Sequence, residues 1–77
     1  MSAAANALAS FENRSGLHRV VLHAVSGGVM AFAFERADSA FAEQDYFLAS
    51  WSEAKAFADD EWGVPATSWV KAEEQPD

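Results

Sequence analysis

The chain of 77 residues contains no cysteine, which excludes disulfides and thiolate zinc sites and leaves apolar packing as the only source of a core. At this length folding hides only about 60% of the surface the unfolded chain exposes. One small domain with a stability of a few kcal/mol is expected. A chain without disulfides suits the cytoplasm. Long hydrophobic runs are also missing: "MSAAANALASFEN" has no basic flank and Asn6 interrupts it, so it reads as neither a secretory signal nor a membrane span.

Positive charge is scarce. Five Lys and Arg face twelve Asp and Glu, for a formal charge of −7. The first half holds Arg14, Arg19 and Arg36 against Glu12 and Glu35, whereas the second half holds only Lys55 and Lys71 among its acids. Phosphate recognition needs a positive surface that displaces counterions, so direct nucleic-acid binding is not expected. A basic protein surface is the better electrical match.

Motifs for catalysis or ligand binding are equally lacking. His18 and His23 are the only histidines. Five residues apart on a strand, they point to opposite faces and cannot share a metal. "SGG" at residues 26–28 lacks the lysine and helix of a phosphate loop. "DDEWG" lacks the alternating ligand spacing of a calcium loop. No metal, no cofactor and no catalytic residue is expected.

Two runs, "LHRVVLHAV" and "VMAFAFER", flank the Gly turn and predict a β-hairpin. A three-residue loop of Ser26, Gly27 and Gly28 would pair Val25 with Val29, Ala24 with Met30, Leu22 with Phe32 and Val20 with Phe34, giving one wholly apolar face. Arg19 would then oppose Glu35 on the other face, with His23 beside Ala31. A two-residue loop would shift the register by one and set Arg19 and His23 beside Phe34 and Met30. The first arrangement separates the faces and is the expected one. Phe32 and Phe34 are of the kind that stack bases on RNA-binding sheets, but the charge and their expected place under a helix assign them to the core.

"YFLA" around Tyr46 to Ala49 suggests a short third strand. "SWSE" at residues 50–53 has the form of a capping box. From there Trp51, Ala54, Phe57, Ala58 and Trp62 recur at helical spacing, until Gly63 caps the helix and Pro65 stops it. Trp69 and Val70 are expected to dock back through a helical turn or a short edge strand. The fold class is α+β: a small antiparallel sheet with one helix across one face. Residues 1–14 are expected to form a mobile arm with at most a frayed helical turn, residues 15–71 the domain, and residues 72–77 an acidic disordered tail.

One local conflict stands out. The helix carries Asp59, Asp60 and Glu61 in its last turn, where the exposed carbonyls make each acid unfavourable by roughly 0.3 to 1 kcal/mol. Local rules tend to be broken at functional sites. The reading that follows is a small non-enzymatic binding or inhibitor protein whose acidic surface meets a basic site on a larger protein or nucleoprotein complex. Asp59, Asp60 and Glu61 would carry the contact, with Glu53, Asp45 and Trp62 beside them. If that basic site normally holds DNA or RNA, the protein would act as a nucleic-acid mimic; size, acidity and the lack of cysteine and of enzymatic motifs are shared, as an analogy of class, with phage-type inhibitors of nucleic-acid machinery, anti-CRISPR proteins among them. The rival reading is an accessory domain, monomeric or weakly dimeric, that self-associates through the free edge of its hairpin along Val29 to Glu35. The bland accounts of the acids are that Arg14, Arg19 or Arg36 neutralises them, that they cap the N-terminus of a following turn, or that acidity only keeps a small protein soluble.

Overall fold

The computed structural model describes residues 6–72. Five strands, β1 (Ala7–Ser10), β2 (Arg19–Val25), β3 (Gly28–Phe34), β4 (Gln44–Leu48) and β5 (Val70–Lys71), form one antiparallel sheet in the order β4-β3-β2-β1-β5. A single helix, α1 (Trp51–Trp62), packs on one face. The α+β class read from the sequence is the fold observed.

The hairpin turns in two residues, not three. Val25 pairs with Gly28, Ala24 with Val29, Leu22 with Ala31, Val20 with Ala33 and Arg19 with Phe34. Gly27 takes φ 86° while Ser26 keeps a negative φ, the sign pattern of a type II turn, whose second central position suits glycine. The one-residue shift moves every β3 side chain to the opposite face. Val29, Ala31 and Ala33 are buried under the helix, and Met30, Phe32 and Phe34 lie on the face the helix leaves open.

The physical reason lies in the helix. Ala54 and Ala58 on α1 and Ala31 and Ala33 on β3 are all fully buried, so the two elements meet through small side chains and approach closely. The bulk around them comes from Trp62, Val64, Val20 and Leu22, with Trp51, Phe57, Leu48 and Trp69 packed at the margin. Phenylalanines at 32 and 34 would overfill that space.

The expected mobile arm is a correction as well. Residues 7–10 are an interior strand, pairing with β2 through Leu8–Leu22 and with β5 through Leu8–Lys71. "ALAS" has little β propensity of its own. Its backbone groups become strand because ladders close on both sides, extended by Ala24 N–H to the Asn6 carbonyl at 2.7 Å and Ala72 N–H to the Ala7 carbonyl at 3.0 Å. Ser10 is fully buried. Its hydroxyl is satisfied by Ser68 Oγ at 2.6 Å and by the Glu12 N–H at 3.1 Å, which ties β1 to the segment after the helix.

The chain returns through the edge strand β5, one of the two routes the sequence left open; Trp69 just before it packs against the core, whereas Val70, expected to dock as well, is exposed. The expected free edge of the hairpin is occupied, since β3 pairs with β4 from Val29–Leu48 to Ala33–Gln44. Self-association along Val29 to Glu35 is therefore blocked, and the sheet edges are β4 and β5. Residues 1–5 of the arm and 73–77 of the tail lie outside the described residues.

Candidate functional site

The acidic helix is built from local signals. Ser50 stands at φ −154° and ψ 168° as N-cap and accepts a hydrogen bond from the Glu53 N–H at 3.2 Å. Gly63 closes the other end at φ 71°, with its N–H on the Asp59 carbonyl at 2.9 Å. The Val64 N–H reaches the Ala58 carbonyl at 3.2 Å. The Trp62 carbonyl receives the Arg14 N–H at 2.8 Å and the Ser15 hydroxyl at 3.3 Å. Neutral donors from the β1–β2 connection thus close the helix end. No basic residue stands in its last turn.

Asp59, Asp60 and Glu61 are all exposed. Arg14 lies beside the cap with its backbone and its first methylenes: a Cβ at Gly63 would meet Arg14 Cβ at 2.7 Å and its N at 3.1 Å. Its guanidinium makes no ion pair with the cluster. Arg19 sits over the Phe34 ring, 4.0 Å from the centroid. Arg36 pairs with Asp38 at 3.2 Å, the one ion pair among the described residues. None of the three arginines neutralises the acids at the helix end.

The other expected contact residues separate. Glu53 is exposed on the same stripe as Asp60, seven residues or about 10 Å away along the helix. Trp62 is 3% exposed, its indole N–H directed at Gln44 Oε1 at 3.4 Å and its ring packed against Phe57 and Tyr46 at centroid distances of 5.4 and 5.9 Å. It is core and cannot anchor a partner. Asp45 pairs across from Phe32 on the opposite face of the sheet, so it does not extend the helix surface. Beside Glu61, a polar cleft of about 510 Å³ runs between Ser15, Glu35, Arg36 and Gln44.

The second surface is the sheet face opposite the helix, which the expected register had hidden and which no other described element covers, although Ala7 and Ala9 of β1 are buried on it. Its middle row reads Asp45, Phe32, Val21, Ala9 and Val70 across all five strands. Phe47, Met30 and His23 lie on one side of that row, and Phe34 and Arg19 on the other. Phe11 is 60%, Phe47 56%, Val70 55% and Phe41 83% exposed. The clue in the sequence was the run of small residues, Ala31 and Ala33, alternating with the aromatics.

The loop that carries Phe41 is held by one carboxylate. Glu43 accepts the Glu35 N–H at 2.8 Å and the Ser39 hydroxyl at 2.7 Å, and its own N–H reaches the Ala33 carbonyl at 2.9 Å. The Ser39 hydroxyl, followed by the Glu35 N–H, holds the Glu43 carboxyl below its ordinary pKa.

Among the described residues, no three His, Asp or Glu side chains converge as a metal site. No helix among the described residues is long and apolar enough to cross a membrane. Comparison with family models, with curated proteins and with solved structures finds no match to the chain.

Proposed function

We propose that the protein is a non-enzymatic binding protein that presents the exposed C-terminal turn of α1 to a basic site on a larger protein or nucleoprotein complex. The observation that carries this reading is the absence of an ion pair between Asp59, Asp60 or Glu61 and any cation among the described residues. Three acids stand at the wrong end of the helix dipole without a direct ion pair among the described residues, an arrangement that fold stability does not favour. Where the basic site ordinarily holds DNA or RNA, the acidic turn acts as a nucleic-acid mimic, which would make the protein an anti-CRISPR-like inhibitor by analogy of class. Glu53, about two turns up the same stripe, extends the contact.

The test is the triple variant Asp59→Asn, Asp60→Asn, Glu61→Gln, compared with the wild type in thermal melts and in capture of partners from a lysate at low and high salt. The variant is expected to melt at the same temperature or a few degrees higher, since an unfavourable interaction with the helix carbonyls is removed. It is expected to lose the proteins that the wild type releases at high salt. A lower melting temperature with the captured set unchanged refutes the acidic contact and gives the three residues a structural role.

A further inference from the structure

We propose that the open face of the sheet is a homodimer interface, two copies packing sheet on sheet about a two-fold axis that runs along β2, parallel to the strands. The inference is independent of the acidic helix, which lies on the other side of each copy.

The first support is size. Strands of 4, 7, 7, 5 and 2 residues, with about 3.3 Å of rise and about 4.8 Å between neighbours, tile about 400 Å². Phe11 and Phe41 flank that area, 60% and 83% exposed, and at roughly 200 Å² for a whole aromatic side chain they bring the patch to about 700 Å² per copy. Two copies would bury about 1,400 Å², within the range of specific stable interfaces. A patch this large and this apolar is more than a monomer ordinarily leaves to water.

The second support is the layout of the face. Two grooves lie at the same height along the strands, on either side of β2. One, of about 530 Å³, is lined by Ala9, Phe11, Arg19, Val21 and Val70. The other, of about 310 Å³, is lined by Phe32, Phe34, Phe41 and Asp45. An axis parallel to the strands sets the Phe41 groove of each copy over the Phe11 groove of the other, so Phe41 enters a cavity and Asp45 lies over Val70 of the other copy. An axis across the strands would set Asp45 against Asp45. The fit of Phe41 and the avoidance of that like-charge pair select the first, in which the two Arg19 side chains at the axis lean apart over Phe34.

Phe41 is also held ready. The Glu43 bonds to Ser39 and Glu35 order its loop, so little freedom is lost when the ring docks. A single-stranded nucleic acid is the less suitable occupant. The chain carries −7, and the one arginine on this face already covers the ring of Phe34 on which a base would stack. The dimer leaves both acidic helix ends outward, so a partner with two basic sites would be held bivalently.

The experiment is sedimentation equilibrium of the wild type and of Phe41→Asp from about 1 to 500 μM, with circular dichroism to show that both are folded. Phe41 is surface in the monomer, so its replacement is expected to leave the melting curve of dilute, monomeric protein unchanged while raising the dimer Kd about 30-fold or more. Added salt is expected to tighten the dimer, because it screens repulsion between two acidic copies, whereas it would weaken binding of a basic partner. This sign separates the two proposals. The axis is read by disulfide capture, clean in a chain without cysteine: Asp45→Cys mixed with Val70→Cys is expected to cross-link, and neither alone. A wild type monomeric at the highest concentration overturns the proposal. So does a dimer that ignores Phe41→Asp, or self-linking of Asp45→Cys. Binding of a labelled single-stranded oligonucleotide, lost in Phe32→Thr, would assign the face to nucleic acid instead.

Discussion

Exchanging the sizes of two neighbouring residues on β3 tests which face of the hairpin is core. Ala31 is fully buried within the cluster that holds Ala54 and Ala58, while Phe32 lies half-buried on the open side. Ala31→Leu forces three extra carbons between sheet and helix at the point where small residues let them approach, which costs roughly 1 to 3 kcal/mol. A 77-residue domain has on the order of 4 to 12 kcal/mol in all. At about 4 to 8 °C per kcal/mol, the melting temperature should fall by about 5 to 20 °C. Phe32→Thr leaves no cavity in the helix-covered core and keeps a good strand former, so its cost should stay near 1 kcal/mol, well under the 3 to 5 typical of a core phenylalanine. Both are read by thermal melts followed by circular dichroism at a few micromolar, dilute enough to keep self-association out of the comparison. The three-residue loop would give the opposite order, with Phe32 in the core and Ala31 outside. A tolerated Ala31→Leu beside an unfolded Phe32→Thr would therefore refute the register.

Gly28→Ala should detach β4, because a Cβ there would run into the Leu48 carbonyl and meet the Phe47 ring at 2.5 Å; amide hydrogen exchange should quicken in Gln44–Leu48 more than in β1, and uniform protection would contradict the close approach. Glu43, whose folded pKa is lowered by Ser39 and the Glu35 N–H, should add stability that is full above the ordinary glutamate pKa and is lost as pH falls through the folded value. Urea midpoints of the wild type should accordingly drop further than those of Glu43→Gln between about pH 6 and about pH 3, and equal drops would show that the carboxylate is not held.

The helix could be read in advance because each of its signals acts within a few residues. Ser50 bonds to the N–H three positions on, Gly63 supplies the left-handed cap, and Trp51, Ala54, Phe57, Ala58 and Trp62 repeat at one turn. The two long strands were legible for the same reason, from their side chains and the Gly turn between them. The acidic turn was legible as a conflict with the helix dipole, and the structure adds that neutral donors from Arg14 and Ser15, not arginine charge, close the helix end.

Everything that depended on a partner distant in sequence was decided by the tertiary structure. Alternation along β3 separated alanines from aromatics, but which set faces inward depends on what covers the sheet. A helix with Ala54 and Ala58 on its inner side packs closely on Ala31 and Ala33 and leaves Phe32 and Phe34 outside. The same closeness buries Trp62 against Tyr46 and Phe57, removing it from the acidic surface, and the pairing of β4 with β3 turns Asp45 to the far side. Residues 7–10 carry no strand signal of their own and become strand because β2 and β5 offer unpaired backbone on both sides. Capping and periodicity are properties of a short segment and survive in the sequence. Facing and pairing are set by complementarity of size between segments, which exists only once the chain has closed on itself.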